Sequence, residues 1–394
     1  MFPEVLQVIQ EFGAIGGADR VAWELAQAFN RMGLINGVVT STARDASDTA
    51  TDVVLVSSWI TGLSTRGGMR HLARLLVFPT FTLAATCAVR RRAKSLVISH
   101  GDCLAGDVVV VHAVNAENLA IKKAAGQWRW LLNPIHAWVA LRDYWMIGHL
   151  RYKRYIAVSR RVSQELVKHY RVPESRIRVI SNGVDVERFK PDASARRQIR
   201  EDFGIPQEAP LLLFVGHEFN RKGLAHLIDA MERLGPEFHL LVVGSDNQAP
   251  YRAMAKVSVG RIVYAGEQKN VERFFAAADA FVFPTSYETF SLVCMEAMAS
   301  GLAVFATPVG GIEEYLKDGR NGMVITQDGA DIAQKVETVF QSATLAAQLR
   351  VAARATAENY SWDNIAGQYI DLLSEILEER KARHAADHMR VAAH

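Results

Sequence analysis

Glu288 and Glu296, with seven residues between them, lie in the stretch FVFPTSYETFSLVCMEAMASGLAVFATPVGG at positions 281–311. An ionised carboxylate accepts charge-strengthened hydrogen bonds at both oxygens, which suits the paired hydroxyls of a sugar or a ribose. Arg221 and Lys222, in the loop GHEFNRKG, bring the complementary chemistry. A guanidinium forks onto two oxygens and an ammonium supplies a point charge, a pair suited to a diphosphate. Near the start, GAIGG at 13–17 contains Gly16 and Gly17, where backbone N–H groups can come close to an anion. His100 follows SLVIS and His112 follows DVVVV, so both end apolar runs, on the side where open α/β sheets bind ligands. Each feature also has a plain structural reading: solvated glutamates on an ordinary strand–helix unit, solvated loop cations, a simple turn, satisfied histidines.

The elements that must position these residues are legible as a rhythm. Residues 5–10 read as a first strand, and a helix follows over 18–32 with Val21, Ala22, Leu25, Phe29 and Met32 on one face. Apolar runs at 37–40, 52–57, 95–99, 107–112, 154–159 and 177–181 alternate with helical or irregular stretches, which predicts a doubly wound α/β domain. The rhythm restarts with a strand at 210–216, the loop 217–223, a helix at 224–233 and a strand at 238–244. Further strands are expected at 261–265, 280–283, 302–306 and 323–326. A turn over 284–288 and a helix over 291–300, stopped by Gly301, place Glu288 on the turn and Glu296 on the helix's second turn. The helix N-terminus offers unpaired N–H groups to a phosphate.

The 394 residues are too many for one ordinary core, and the polar, proline-bounded stretch between 181 and 210 predicts a boundary. The expected division is a first domain at 1–185, a linker at 186–209, a second domain at 210–360, a C-terminal helix at 361–380 and a solvated tail at 381–394. Cys87, Cys103 and Cys294 are scattered without metal-ligand spacing, and the first residues lack a signal-peptide pattern, so a cytoplasmic protein is expected. G-x-G-x-x-G and the P-loop pattern are both absent. Residues 1–185 hold 23 Lys/Arg against 14 Asp/Glu, a net +9, while the remainder carries −6. The basic half therefore suits an anionic partner.

Two stretches bear on that partner. Residues 72–89 are apolar but interrupted by Arg74 and Pro79, which argues against a bilayer span. Residues 122–154 interleave Trp128, Trp130, Trp138 and Trp145 with Lys122, Lys123, Arg129, Arg142, Arg151, Lys153 and Arg154. That pattern suits an anionic membrane surface, or equally a tryptophan core under a solvated basic face. No nucleic-acid recognition motif accompanies the charge.

Taken together, SNGVDVERF, GHEFNRKG, VVGSD, the AADAFVFPT run and the E-x(7)-E segment resemble glycosyltransferase family 4, the retaining nucleotide-sugar enzymes of the GT-B fold. The resemblance is strong over 156–362; before it, only Gly16-Gly17 with Asp19-Arg20, and His112, match family positions. It implies two Rossmann-like doubly wound domains facing a central cleft, with the last helix crossing back to the first domain. It also implies that Glu288 binds the transferred sugar, Glu296 the ribose, Arg221 and Lys222 the diphosphate, and the N–H groups of Phe290, Ser291 and Leu292 the distal phosphate. Gly16 and Gly17 would lie by the donor, with His112 near sugar and acceptor and Asp19 beside the acceptor. The usual E-G-F-G-L is here Glu288-Thr289-Phe290-Ser291-Leu292, and Thr289 is expected to narrow the backbone's freedom.

The expected activity is transfer of a sugar from a nucleoside diphosphate sugar, UDP favoured, to a cell-surface glycan or glycolipid, without metal or other cofactor. The catalytic set is Glu288, His112, Arg221 and Lys222. A nucleotide-sugar epimerase or hydrolase of the same fold, or an inactive glycan- or nucleotide-binding partner, are the alternatives. A peripheral position on the inner face of the cytoplasmic membrane follows from the basic, Trp-rich stretch.

Overall fold

The structure is a computed structural model describing residues 2–14, 16–44, 51–60, 70–124, 126 and 134–392. The chain divides into two compact units, Met1–Ser181 with Trp362–His394, and Asn182–Ser361.

In the first unit the strands are β1 (Val5–Val8), β2 (Asn36–Thr40), β3 (Asp52–Leu55), β4 (Leu96–Ser99), β5 (Val108–Val111), β6 (Arg154–Ala157) and β7 (Ile177–Val179). They form one seven-stranded sheet in the order β3-β2-β1-β4-β5-β6-β7, and the pairings are parallel. Parallel strands covered on both faces need apolar side chains on both, which is why VVVV and LVIS are fully buried. The helix Arg70–Arg91 lays Phe81, Ala85 and Val89, one turn apart, onto Leu6, Val8, Val39 and Val97 of the sheet. One face of this helix is thus core while Leu76 and Leu83 are exposed, and among the described residues no helix is long and apolar enough to cross a membrane.

The C-terminal helix Trp362–Ala392 belongs to this unit and buries Ile365, Ala366, Tyr369, Leu372, Leu373 and Ile376. Ion pairs fasten it at its start and near its middle, Asp363 to Arg31 at 2.6 Å and Glu375 to Arg178 at 2.8 Å. Positions 381–392, read from sequence as a solvated tail, continue the helix because Ala, Arg, Lys and Met are strong helix formers.

The second unit carries β8 (Leu211–Val215), β9 (His239–Val243), β10 (Ile262–Gly266), β11 (Ala280–Phe283), β12 (Ala303–Ala306) and β13 (Met323–Val324). The parallel order is β10-β9-β8-β11-β12-β13. Residues 186–209, expected as a linker, lie within this unit. Asp192 caps the helix Ala193–Asp202, and Arg200 on it is fully buried. Arg200 pairs with Asp279 at 2.8 Å and donates to the carbonyls of Ala277, Pro206, Gln207 and Ala209. The polar composition that suggested a linker is in part this buried anchor.

Candidate functional site

In both sheets the strand order reverses beside the first strand of the unit, between β1 and β4 and between β8 and β11. Ligands of doubly wound sheets bind outside the carboxyl ends of the strands at such a point. The candidate residues fall there in each unit.

In the second unit, β8 leads to a short helix, Phe219–Lys222, that carries Arg221 and Lys222, and β11 leads to the loop carrying Glu288. The backbone N–H of Ser286 and the Ser286 hydroxyl both donate to the Arg221 carbonyl, at 2.9 and 3.0 Å, tying the two loops together. Gly223 permits this approach: at φ 80°, a Cβ there would stand 2.0 Å from the Pro284 oxygen. Glu288 is 9% exposed, and its Oε1 accepts from Lys222 Nζ, from Arg221 Nη1 at 3.3 Å and from the Thr285 hydroxyl at 3.3 Å. Lys222 Nζ also lies 4.8 Å from the centroid of Phe283. Arg221 forks onto Glu218 with its other nitrogens, at 3.0 and 2.7 Å. Two cations and a carboxylate therefore converge in a position fixed by packing.

The loop 288–291 is held from behind. A Cβ on Gly310 would stand 1.6 Å from the Glu288 carbonyl oxygen, Gly311 N–H donates to the Thr289 carbonyl at 3.1 Å, and Tyr315 donates its hydroxyl hydrogen to the Phe290 carbonyl at 2.9 Å. The constraint expected at Thr289 falls elsewhere. Thr289 is not left-handed, whereas Ser291, directly before the helix Leu292–Ala299, has φ 74°. A left-handed non-glycine residue costs roughly 1–2 kcal/mol, so this helix start carries strain at the place proposed for phosphate. Glu296 is buried on that helix, not solvated.

In the first unit, the Gly16–Gly17 loop and Asp19 follow β1, His100 and Asp102 follow β4, and His112 follows β5. Ile15, within the glycine loop, lies outside the described residues. Gln7, a polar residue inside β1, donates from Nε2 to the Ala22 carbonyl at 3.2 Å, which turns its Oε1 toward His100 Nε2 at 2.8 Å. His100 Nδ1 is 3.1 Å from His112 Nε2. Burial, with His112 close by, lowers the His100 pKa well below the ordinary range, and burial lowers that of His112 to about 4, so both rings are neutral near pH 7. The network then assigns the tautomers. His100 donates from Nε2 to Gln7, its Nδ1 accepts from His112 Nε2–H, and His112 keeps Nδ1 as an acceptor.

Asp102 is held by Gln10 N–H at 3.1 Å and Arg142 at 2.9 Å, and Arg142 also pairs with Asp143 at 3.0 Å. The pKa of Asp19 is raised to about 6, first by burial and then by the charges of Glu11 and Asp102, with Arg44 opposing. A carboxyl with a higher pKa in the folded than in the unfolded chain binds extra protons when folded, so its contribution to stability falls as pH rises from about 4 to about 6. Asp19→Asn is expected to raise the melting temperature relative to wild type at pH 7, and to leave it little changed at pH 4. A melting series across that window checks it; an equal shift at both pH values contradicts the raised pKa.

The structure thus brings Arg221, Lys222 and Glu288 together and sets Phe290, Ser291, Leu292 and Glu296 on the same loop and helix; Gly16, Gly17, Asp19 and His112 lie in the other unit. Sequence reasoning missed Gln7, Asp102, Thr285 and Gly310; only the isolated polar residue in VLQV was a local signal. In the Trp-rich stretch, Trp128, Trp130 and Arg129 lie outside the described residues. Three of its cations are paired with carboxylates within the first unit: Arg142 as above, Lys153 with Asp107 at 3.1 Å, and Arg154 with Glu379. Trp145 is 47% exposed, beside exposed Leu141 and Tyr144. Among the described residues no group of three or more His, Cys, Asp or Glu could hold a metal.

The family description "Glycosyltransferase Family 4" matches residues 15–188 and "Glycosyl transferases group 1" matches 195–356. D-inositol 3-phosphate glycosyltransferase of Xylanimonas cellulosilytica is 32% identical over 244 residues, 58% of each chain. Alpha-maltose-1-phosphate synthase of Mycolicibacterium smegmatis is 28% identical over 242 residues, 56% of this chain and 62% of that one. The chain therefore spans somewhat under two thirds of the length of the curated relatives it matches. Among solved structures, WaaG, a glycosyltransferase involved in lipopolysaccharide biosynthesis, superposes with a TM-score of 0.76 at 21% identity, over 94% of this chain and 99% of that one. Anabaena HepE in complex with UDP and glucose gives 0.69 at 18% identity, over 95% and 100%. The protein has the GT-B fold. It is related to the glycosyltransferases of group 1 and family 4.

Proposed function

We propose that the chain is a retaining, metal-independent glycosyltransferase that moves a sugar from a nucleoside diphosphate sugar, UDP-sugar favoured, to a growing cell-surface glycan or glycolipid such as lipopolysaccharide or exopolysaccharide. The observation that carries this reading is the convergence of Arg221, Lys222 and Glu288 at the switch point between β8 and β11, on a loop braced by Gly310 and Tyr315. Breaking the bond from the anomeric carbon to the diphosphate leaves negative charge on phosphate and positive charge on the sugar ring. Arg221, Lys222 and the N–H groups from Phe290 to Leu292 stabilise the first, and the Glu288 carboxylate holds the sugar as the second develops. Glu296 takes the ribose hydroxyls. Gly16 and Gly17 serve the donor, and His112 Nδ1 and Asp19 serve the acceptor side. The UDP bound by HepE supports uracil as the base, and the WaaG relationship supports a lipopolysaccharide-type acceptor.

Turnover of UDP-sugars with and without glycan acceptor tests the reading. Transfer that requires acceptor and persists in chelator supports it. Donor turnover without acceptor indicates the hydrolase or epimerase alternative, and nucleotide binding without turnover indicates a binding partner.

Exposed Leu141, Tyr144 and Trp145, with Arg151 packed on the Trp145 ring at 5.8 Å, favour a cytoplasmic protein resting on the anionic inner face of the membrane. Binding to anionic liposomes is expected at low salt, weakening as salt shortens the screening length toward about 8 Å at physiological strength. Cosedimentation measures it; equal binding to neutral and anionic vesicles contradicts the electrostatic part.

A further inference from the structure

At the amino ends of β6 and β7, opposite to the carboxyl strand ends that lead to His100 and His112, the first unit holds a cavity of about 190 Å³. It has room for on the order of six waters at about 30 Å³ each. Arg151, Lys153, Arg154, Arg176 and Arg383 line it, with Glu379 as its one carboxylate. Glu379 is taken by Arg154, and Lys153 reaches out to Asp107. Among the described residues Arg151, Arg176 and Arg383 have no carboxylate partner. Arg151 donates to the Trp145 carbonyl at 3.1 Å, and Arg176 to that of Leu150 at 3.4 Å.

Such a gathering of like charge is unfavourable by itself, because each cation raises the cost of the next. The backbone is also arranged for it. Leu150, a branched residue, sits at φ 51° in the left-handed region, and its carbonyl accepts the Arg176 bond. Three chain segments contribute: the turn before β6, the turn before β7 and the C-terminal helix. Guanidinium groups fork onto the oxygens of a tetrahedral oxyanion, and several around one cavity match a multiply charged one.

We propose that this cavity is a binding site for a phosphate-bearing anion, distinct from the diphosphate site of the second unit and independent of the function proposed above. The anion is either a free phosphorylated solute or the phosphomonoester headgroup of a lipid. Because Arg383 comes from the C-terminal helix, occupancy ties that helix to the sheet.

The protein is titrated with inorganic pyrophosphate and followed by its melting temperature, with a parallel series in Arg221→Ala that separates any response at the second unit's cations. Stabilisation is expected in wild type. In the Arg176→Ala/Arg383→Ala variant the apparent affinity should fall by about tenfold or more, as expected for lost charge-assisted hydrogen bonds. The variant should still fold, since neither side chain has an ion pair, and without pyrophosphate at low salt it should melt no lower than wild type. Arg176→Lys/Arg383→Lys should recover part of the affinity. Cosedimentation with phosphatidylcholine vesicles with and without phosphatidic acid separates the sources. Capture by phosphatidic acid that pyrophosphate competes away, and that the double variant loses, assigns the lipid headgroup; a pyrophosphate response without such capture assigns a free solute. No pyrophosphate response in wild type, or an equal response in the double alanine variant, overturns the site.

Discussion

Glu288→Gln is expected to lower kcat by about 100- to 1,000-fold, the usual cost of removing one electrostatic stabiliser of a transition state, ~2.7–4 kcal/mol. Glutamine keeps the size and one acceptor oxygen, so what is lost is charge. That charge matters most when the sugar becomes positive, and an interaction that strengthens only there lowers kcat without lowering affinity for the departing nucleotide. The geometry adds a second consequence. Lys222, Arg221 and Thr285 all donate to the same Glu288 oxygen, and the Lys222 side chain is 12% exposed. Removing the carboxylate leaves a largely buried ammonium without its partner, so a lower melting temperature is also expected. Steady-state kinetics with saturating acceptor, below the variant's own melting point, separate chemistry from unfolding. Near wild-type turnover would remove Glu288 from the reaction.

Lys222→Ala is expected to weaken free UDP by about 10- to 150-fold, corresponding to ~1.5–3 kcal/mol for a charged hydrogen bond, and to slow turnover as well. Arg221→Ala should act in the same direction but less strongly. Arg221 is more exposed, at 34%, and shares its guanidinium with Glu218. Chelator should alter neither binding nor turnover in wild type or variant. Equilibrium binding of UDP in chelator and in magnesium measures both parts. Unchanged affinity in both variants would move the diphosphate elsewhere, and chelator sensitivity would contradict metal-free stabilisation of the leaving group.

The alternation of strand and helix was legible because a parallel strand covered on both faces needs a continuous apolar run, as in LLLFV at Leu211–Val215 and AFVF at Ala280–Phe283. The helix Leu224–Arg233 keeps the bounds its spacing predicts, since Gly223 fixes its start. What the chain order hides is close approach between distant residues. Gly310 lies far along the chain from Glu288, and nothing local signals that a Cβ there would strike its carbonyl. Arg142 read as a surface cation because a basic residue among tryptophans has that look; its partner Asp102 comes from another strand's loop. The stretch 186–209 misled in part for the same reason, since two of the partners that satisfy Arg200, the Ala277 carbonyl and the Asp279 carboxylate, lie far along the chain. At the phosphate loop, the sequence located the departure from the family pattern but not its effect. Of the two replaced glycines, the strain falls on Ser291 rather than Thr289.

The most direct test of the central claim, that the switch point between β8 and β11 holds a nucleoside diphosphate sugar with the two glutamates in different roles, is one calorimetric series. UDP is titrated into wild type, Glu288→Gln and Glu296→Ala under identical conditions. Glu296 is buried on the helix that starts at the phosphate loop, and its proposed partner, the ribose, does not change during reaction. The account predicts that Glu288→Gln binds UDP nearly as wild type does, while Glu296→Ala binds about 10- to 150-fold more weakly. Wild-type affinity in Glu296→Ala, or no measurable UDP binding in wild type with other nucleoside diphosphates binding no better, would contradict it.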